Sequence, residues 1–215
     1  MCGIFGIAST KSTRNKLYQG LMKLEYRGYD SSGISGTHIS SKLSTIKATG
    51  PIKNLRTKLT SLTRITTGIA HTRWATHGEA ILKNTHPHLS ENISIVHNGI
   101  IENYIELKSL LKKKGYLFKS DTDSEVISHL IHMNYKKTKN MESSIISTTK
   151  MLNGSYAIGC INTNYANTIF AACKGSPLII GKGVNENFIA SDITPILSDT
   201  KHYIPLDDNE FAKVT

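Results

Sequence analysis

Cys2 stands directly before an apolar stretch, Gly3-Ile4-Phe5-Gly6-Ile7-Ala8. With Met1 removed, one residue would carry both a thiol and a free α-amine. A small second residue favours that removal. An α-amine titrates at about 7.7–8.0, close to working pH. It can accept the thiol proton and return it to a leaving amine, so no histidine base is required. From position alone, Cys2 reads first as a thiol merely packed in an edge strand, and it is the other segments that reverse this. Four further strings gather charged groups, amides and glycines: Leu24–Gly33, His71–Gly78, His97-Asn98-Gly99 and Ser120–Glu125. Each falls where an expected strand or helix hands over to a loop, and there a rigid scaffold can present reactive groups.

Other chemistries fit less well. His71, His77, His86, His88 and His97 crowd a 27-residue span, yet no carboxylate or cysteine stands at matching zinc spacing. No metal and no cofactor is therefore assigned. Gly181-Lys182-Gly183 lacks the following Ser or Thr of a phosphate cradle. Cys160 and Cys173 fall in apolar strands and are expected to be inert core thiols. Three cysteines cannot form a fully paired disulfide framework, which points to a reducing, cytoplasmic setting. The N-terminal stretch has no basic region of a secretory leader before it, and no apolar run reaches membrane-spanning length.

These residues need elements to hold them. Cys2 to Ala8 is expected as a buried strand. Ser12 or Thr13 could cap a helix with Leu17, Leu21 and Leu24 on one face. Glu25 to Asp30 reads as a turn, and strands are expected over Ser32–His38, Lys42–Ala48 and Thr66–Thr72. Between them, Ile52, Leu55, Leu59 and Leu62 keep helical spacing. Arg73 to Ser90 reads as one long loop, a length that is usually functional. Asn92 to Val96 alternates as a strand ending at His97-Asn98-Gly99. Leu107, Leu110 and Leu111 mark a helix that Gly115 should close. Asp121 or Thr122, with Glu125, forms a capping-box pattern before a helix faced by Val126, Ile127, Leu130 and Ile131. A further helix is expected over Met141–Leu152, then strands over Gly154–Ile161, Thr168–Ala172, Leu178–Ile180 and Phe188–Ala190. Strands at both ends with helices between predict an α+β fold of two sheets with helices packed outside. No repeat or linker interrupts it, so residues 2–215 read as one domain.

The 215 residues carry a net charge of +10, which raises the question of a nucleic-acid or membrane-surface partner. Of 26 basic residues, 21 are Lys and only 5 are Arg. Base reading and phosphate clamping favour arginine forks. A solvated basic surface is the reading adopted, with neither nucleic acid nor membrane as partner.

Taken with Cys2-Gly3-Ile4-Phe5-Gly6-Ile7, the four strings resemble the glutaminase domain of the glucosamine-6-phosphate synthase family, a class II, N-terminal-nucleophile glutamine amidotransferase. The resemblance continues through Gly154-Ser155-Tyr156-Ala157 and Gly175-Ser176-Pro177-Leu178 to Phe188–Asp192. It implies a four-layer αββα sandwich. It also implies that Cys2 attacks the side-chain amide of L-glutamine while Asn98 and Gly99 form the oxyanion hole. By the same resemblance Arg73 holds the substrate carboxylate and Asp123 its ammonium, with Thr76 and His77 lining the pocket. Trp74 would lie on the flexible loop that closes over glutamine, and Arg27 would support the nucleophile's surroundings. The family further implies a sugar-phosphate isomerase half beyond Thr215 that receives the ammonia, in a homodimer. The alternatives are the glutaminase domain of an amidophosphoribosyltransferase or asparagine synthetase, and a non-catalytic basic binding module.

Overall fold

The computed structural model describes residues 2–38, 42–75 and 78–215. One antiparallel sheet contains β1 (Gly3–Ser9), β2 (Ser31–His38), β3 (Leu43–Thr49), β4 (Ile65–Arg73), β9 (Ile179–Lys182), β10 (Glu186–Ala190) and β11 (Tyr203–Pro205). Its strand order is β11-β9-β10-β1-β4-β2-β3. The second antiparallel sheet contains β5 (His88–Ser90), β6 (Ile93–Ile101), β7 (Gly154–Asn162), β8 (Ile169–Lys174) and β12 (Phe211–Val214), in the order β12-β8-β7-β6-β5. The helices are α1 (Arg14–Met22), α2 (Tyr104–Lys113), α3 (Glu125–Thr138) and α4 (Met141–Thr149).

Side-chain alternation turns these strands into layers. In β1, Ile4 and Ala8 pack between the sheets with Ile69, Val96, Ala157, Ile161 and Ile169. Phe5 and Ile7 point the other way, onto Leu17 and Leu21 of α1. On the far side, Tyr156, Ile158 and Cys160 of β7 meet Val126, Ile127, Leu130 and Ile131 of α3 and Ile145 of α4. Three apolar cores thus separate four layers, and the α+β, αββα architecture expected from the sequence is the one observed. Cys160 and Cys173 are buried in two of these cores. Burial pushes the Cys173 thiol up to about 11 and raises that of Cys160 as well, so both stay protonated and inert. Among the described residues no helix is long and apolar enough to cross a membrane.

Several local expectations change. Ile52–Ser61 forms a 3-10 helix, not an α-helix, and buries Ile52 and Leu55, three residues apart on its inner edge. Thr13 is the N-cap residue of α1, yet its hydroxyl donates to the Ile65 carbonyl instead of capping. The capping box before α3 does not form. The helix begins at Glu125 with Ser124 as N-cap, and the Glu125 carboxylate accepts from the N–H groups of Lys119 and Ser120 and from the Ser120 hydroxyl. The segment 73–90 is not one loop: Arg73 ends β4, Leu82–Asn84 is a 3-10 turn and His88–Ser90 is β5. The strand expected to end at Gly99 runs on to Ile101. Gly115 does close α2, with φ of +86°, its own N–H and that of Tyr116 returning to Lys112 and Leu111.

Candidate active site

The residues gathered from distant parts of the sequence meet at one edge of the first sheet, and antiparallel pairing is the reason. Gly3 at the start of β1 pairs with Thr72 near the end of β4, and Ser31 at the start of β2 pairs with Arg73. Phe5 pairs with Ala190, the last residue of β10. The starts of β1 and β2 and the ends of β4 and β10 therefore lie side by side. Cys2, Asp30, Arg73-Trp74 and Ser191-Asp192 project there together. The second sheet brings in Asn98 and Gly99 from β6.

Cys2 is partly buried, with the N–H of Trp74 donating to its Sγ at 3.3 Å and the Trp74 carbonyl 3.6 Å from the same sulfur. Burial raises the thiol above its ordinary value, while the hydrogen bond from Trp74 and the nearby Arg73 charge pull it back. The Asn98 amide donates from Nδ2 to the Cys2 carbonyl at 2.9 Å. Gly99, at φ of +125°, lies against Ser155 and Tyr156 of β7, where a Cβ would meet the Ser155 oxygen at 2.1 Å. Asn98-Gly99 is thus a strand segment and not the tight turn its sequence also suits.

The remaining candidates surround this centre. Cys2, Trp74 and Gly99 divide two cavities. One, of about 230 Å³, is lined by Arg27, Asn98, Ser155, Ser176 and Pro177 as well. The other, of about 30 Å³, is reached by Arg73, Asp123, Thr122 and Ser124. The Arg73 side chain is buried, and its two terminal nitrogens donate to the carbonyls of Gly78 and Glu79 at 2.9 and 3.0 Å. Buried Asp123 accepts the N–H of Ile101 at 2.8 Å. Arg27 pairs with Asp192 at 2.7 Å, and Tyr26 donates to the same carboxylate oxygen. Trp74 is 46% exposed and tilted against Tyr29, which excludes a core role. Met1, Thr76 and His77 lie outside the described residues, so the assignments made to them are not placed.

Sequence reasoning missed the residues that support this set. Asp30 accepts the Ala75 N–H at 2.8 Å, fixing the chain just past Trp74. Ser191 accepts the Ile4 N–H and holds β1 beside the nucleophile. Asp192 anchors Arg27. Asp30 and Asp192 lie in the segments Leu24–Gly33 and Phe188–Asp192, but their partners are 45 and 165 residues away, beyond local patterning. The spacing of His71, His86, His88 and His97 raises only the question of a metal. They are buried together, with ring centroids of His71 and His86 at 4.1 Å and of His86 and His88 at 4.5 Å. Burial lowers all four, His71 and His88 to about 3, so they pack as neutral rings at working pH.

Residues 71–198 match the family described as "Glutamine amidotransferase domain". The chain is 46% identical, over 99% of its length, to the glutamine–fructose-6-phosphate aminotransferase (isomerizing) of Buchnera aphidicola subsp. Baizongia pistaciae, covering 35% of that protein. It is 43% identical, over its full length, to the enzyme of the same name from Francisella tularensis, covering 36% of it. The chain thus spans about a third of the length of these relatives. Among solved structures, glutamine phosphoribosylpyrophosphate amidotransferase from B. subtilis superposes with a TM-score of 0.83 at 26% identity, over 99% of this chain and 47% of that one.

Proposed function

Because the chain belongs to the glutamine amidotransferase domain family, we propose that it hydrolyses L-glutamine to glutamate and ammonia through a γ-glutamyl thioester on Cys2. The observation that carries this reading is the setting of Cys2. Its partly buried thiol at a strand end accepts a main-chain N–H, the Asn98 amide holds the carbonyl of the same residue, and a glycine packed closely on β7 lies beside them. Sγ attacks the side-chain carbonyl, and the negative charge on its oxygen is met by the second N–H of Asn98 and the N–H of Gly99, donors of the kind worth ~2.7–4 kcal/mol each. The C–N bond breaks as the leaving nitrogen takes the proton, and water then cleaves the thioester to glutamate and the free thiol. With Met1 removed, the Cys2 α-amine carries the proton between these steps. The raised thiol value supports the need for such a base.

Arg73 takes the substrate α-carboxylate and Asp123 its α-ammonium, with Thr76 and His77 as further lining of the pocket. Both charged groups reach the same small cavity as Cys2. Since that cavity is about 30 Å³, entry of glutamine needs the segment around Trp74 to open. In the longer protein the ammonia passes to a sugar-phosphate isomerase half that converts fructose 6-phosphate to glucosamine 6-phosphate, in a cytoplasmic homodimer. The higher identity to the fructose-6-phosphate enzymes supports this acceptor over a phosphoribosyl one.

The test is release of glutamate from glutamine, with Cys2→Ala as control. The parent chain should turn over and take up one equivalent of an electrophilic glutamine analogue by intact mass. Cys2→Ala should do neither. A parent that is folded, has lost Met1 and releases no glutamate refutes the reading.

A further inference from the structure

His71 takes no part in the reaction outlined above, yet it touches the residue on which that reaction leans. It lies in β4 two residues before Arg73 and is fully buried. Alternation puts it on the same face as Ile69, which packs between the sheets. Its ring crosses to β6, where Nε2 is 3.0 Å from the His97 carbonyl oxygen and 3.0 Å from Asn98 Oδ1.

Two main-chain carbonyls decide the polarity of this array. The His97 carbonyl can only accept, so Nε2 carries the proton. The Cys2 carbonyl can also only accept, so the amide nitrogen of Asn98, 2.9 Å away, faces Cys2 and Oδ1 faces His71. A flipped amide would set Oδ1 against the Cys2 carbonyl and an N–H against the N–H of His71. Without His71, the terminal torsion of an asparagine has two broad wells and one lock fewer.

We propose that His71 is the positioning residue for the oxyanion hole: its Nε2–H holds Asn98 Oδ1 and thereby keeps the Asn98 amide N–H groups on the Cys2 side. The assignment rests on the glutaminase reading of the site. Burial, helped by the nearby His97 and Arg73, disfavours a second proton on the ring and outweighs the hydrogen bonds to Asn98 and His97, which lowers His71 to about 3 and keeps the single-proton form throughout the working range. The His86 ring at 4.1 Å holds the imidazole in place. Among the described residues no acceptor faces Nδ1, so nothing draws the proton away from Nε2.

The test compares His71→Leu, which removes the N–H, with His71→Gln, which returns an amide N–H of similar reach. Loss of one oxyanion donor costs ~10²–10³ in kcat, so His71→Leu should lower kcat by about 10²-fold. The KM for glutamine should stay within about twofold, because the donor acts on the transition state. Alkylation of Cys2 by iodoacetamide displaces iodide at a saturated carbon and builds no oxyanion, so its rate should hold. His71→Gln should recover most of the turnover, and His71→Leu should add no further loss in an Asn98→Ala background. Full kcat in folded His71→Leu overturns the assignment. So does a loss that adds to that of Asn98→Ala, or one matched by slower alkylation, since each marks a merely structural role. Nitrogen NMR of the unaltered chain is independent of how the variants fold. A proton on Nε2 with a bare Nδ1 is expected, and a proton on Nδ1 overturns the proposal. A folded, alkylatable parent that does not hydrolyse glutamine sinks the glutaminase reading instead, while the tautomer still decides whether the amide lock exists.

Discussion

Replacing Gly99 by Ala measures how tightly β6 and β7 are built around the proposed oxyanion hole. The new Cβ would stand 2.1 Å from the Ser155 carbonyl oxygen, 2.7 Å from its carbon and 3.0 Å from Tyr156 Cα. Ordinary carbon–oxygen contacts lie at about 3.3–3.6 Å, so β6 and β7 must part by roughly 1 Å. The obstacle is backbone, which cannot swing aside as a side chain would. The φ of +125° adds a conformational cost of ~1–3 kcal/mol. Gly115 supplies the control. Its φ is +86° and nothing lies within 4 Å of a Cβ built there, so Gly115→Ala costs only the left-handed strain of ~1–2 kcal/mol. Each kcal/mol lowers Tm by about 2–4 °C at this chain length. Thermal melts should therefore rank Gly99→Ala well below Gly115→Ala. A displacement of about 1 Å at a reacting centre can cost ~10²-fold, so glutamate release should fall by that order in Gly99→Ala and hold in Gly115→Ala. Equal melting of the two variants, with full turnover in both, would refute the reasoning by showing that the backbone at Gly99 has slack.

Two further outcomes follow from burial and charge. Glu125 is buried, which alone would raise it, but the neighbouring His129 ring and hydrogen bonds from Ser120 and Lys119 hold its carboxyl down at about 2. A free Glu titrates near 4.3, so between about pH 4 and 2 the unfolded chain binds the extra proton. The Glu125 contribution is thus complete above pH 4 and lost as pH falls to about 2. Urea midpoints should show Glu125→Gln less stable than the parent at pH 7, with the gap closing through that window. For Trp74, half-exposed as it is, truncation to Ala should cost under about 1 kcal/mol, against ~3–5 for a core aromatic. Parent emission should be that of a wet indole and should change saturably with a glutamine-site ligand. Blue emission that ignores the ligand would remove Trp74 from the site.

The strands and the long helices were legible because both carry apolar residues at fixed periods. The same method failed where polar side chains do the burying. Residues 84–88 look like loop by composition, yet Asn84, Thr85, His86 and His88 are all buried. The Asn84 amide holds the Glu79 carbonyl while its oxygen accepts the Asp121 N–H, closing the segment through hydrogen bonds. Glu125 was misread for a related reason. Its spacing from Thr122 fits a capping box, but a carboxylate that collects two main-chain N–H groups and a hydroxyl from residues 119–120 gains more there. The spacing of Ile52, Leu55, Leu59 and Leu62 predicts a helix, and in so short a piece three-residue and four-residue turns share that spacing, so the 3-10 form over Ile52–Ser61 is not distinguished by it.

The site itself divides along the same line. The strings bearing Cys2, Arg73, Asn98-Gly99 and Asp123 could be picked out one at a time, whereas their assembly could not, because it depends on register. Both faces of β1 are buried, Ile4 and Ala8 in one core and Phe5 and Ile7 in another. A slip of one residue against β4 would drive Phe5 into the space between the sheets and Ile4 toward α1. It would also move Cys2 one residue along β4 and away from the Trp74 N–H. The two cores therefore forbid the slip, and in doing so they set the distance from Sγ to its donor. Ser191 on the Ile4 N–H and His71 on Asn98 then carry that register outward to β10 and to the second sheet. Packing at positions that never meet the substrate thus fixes where the nucleophile and the proposed oxyanion donors stand.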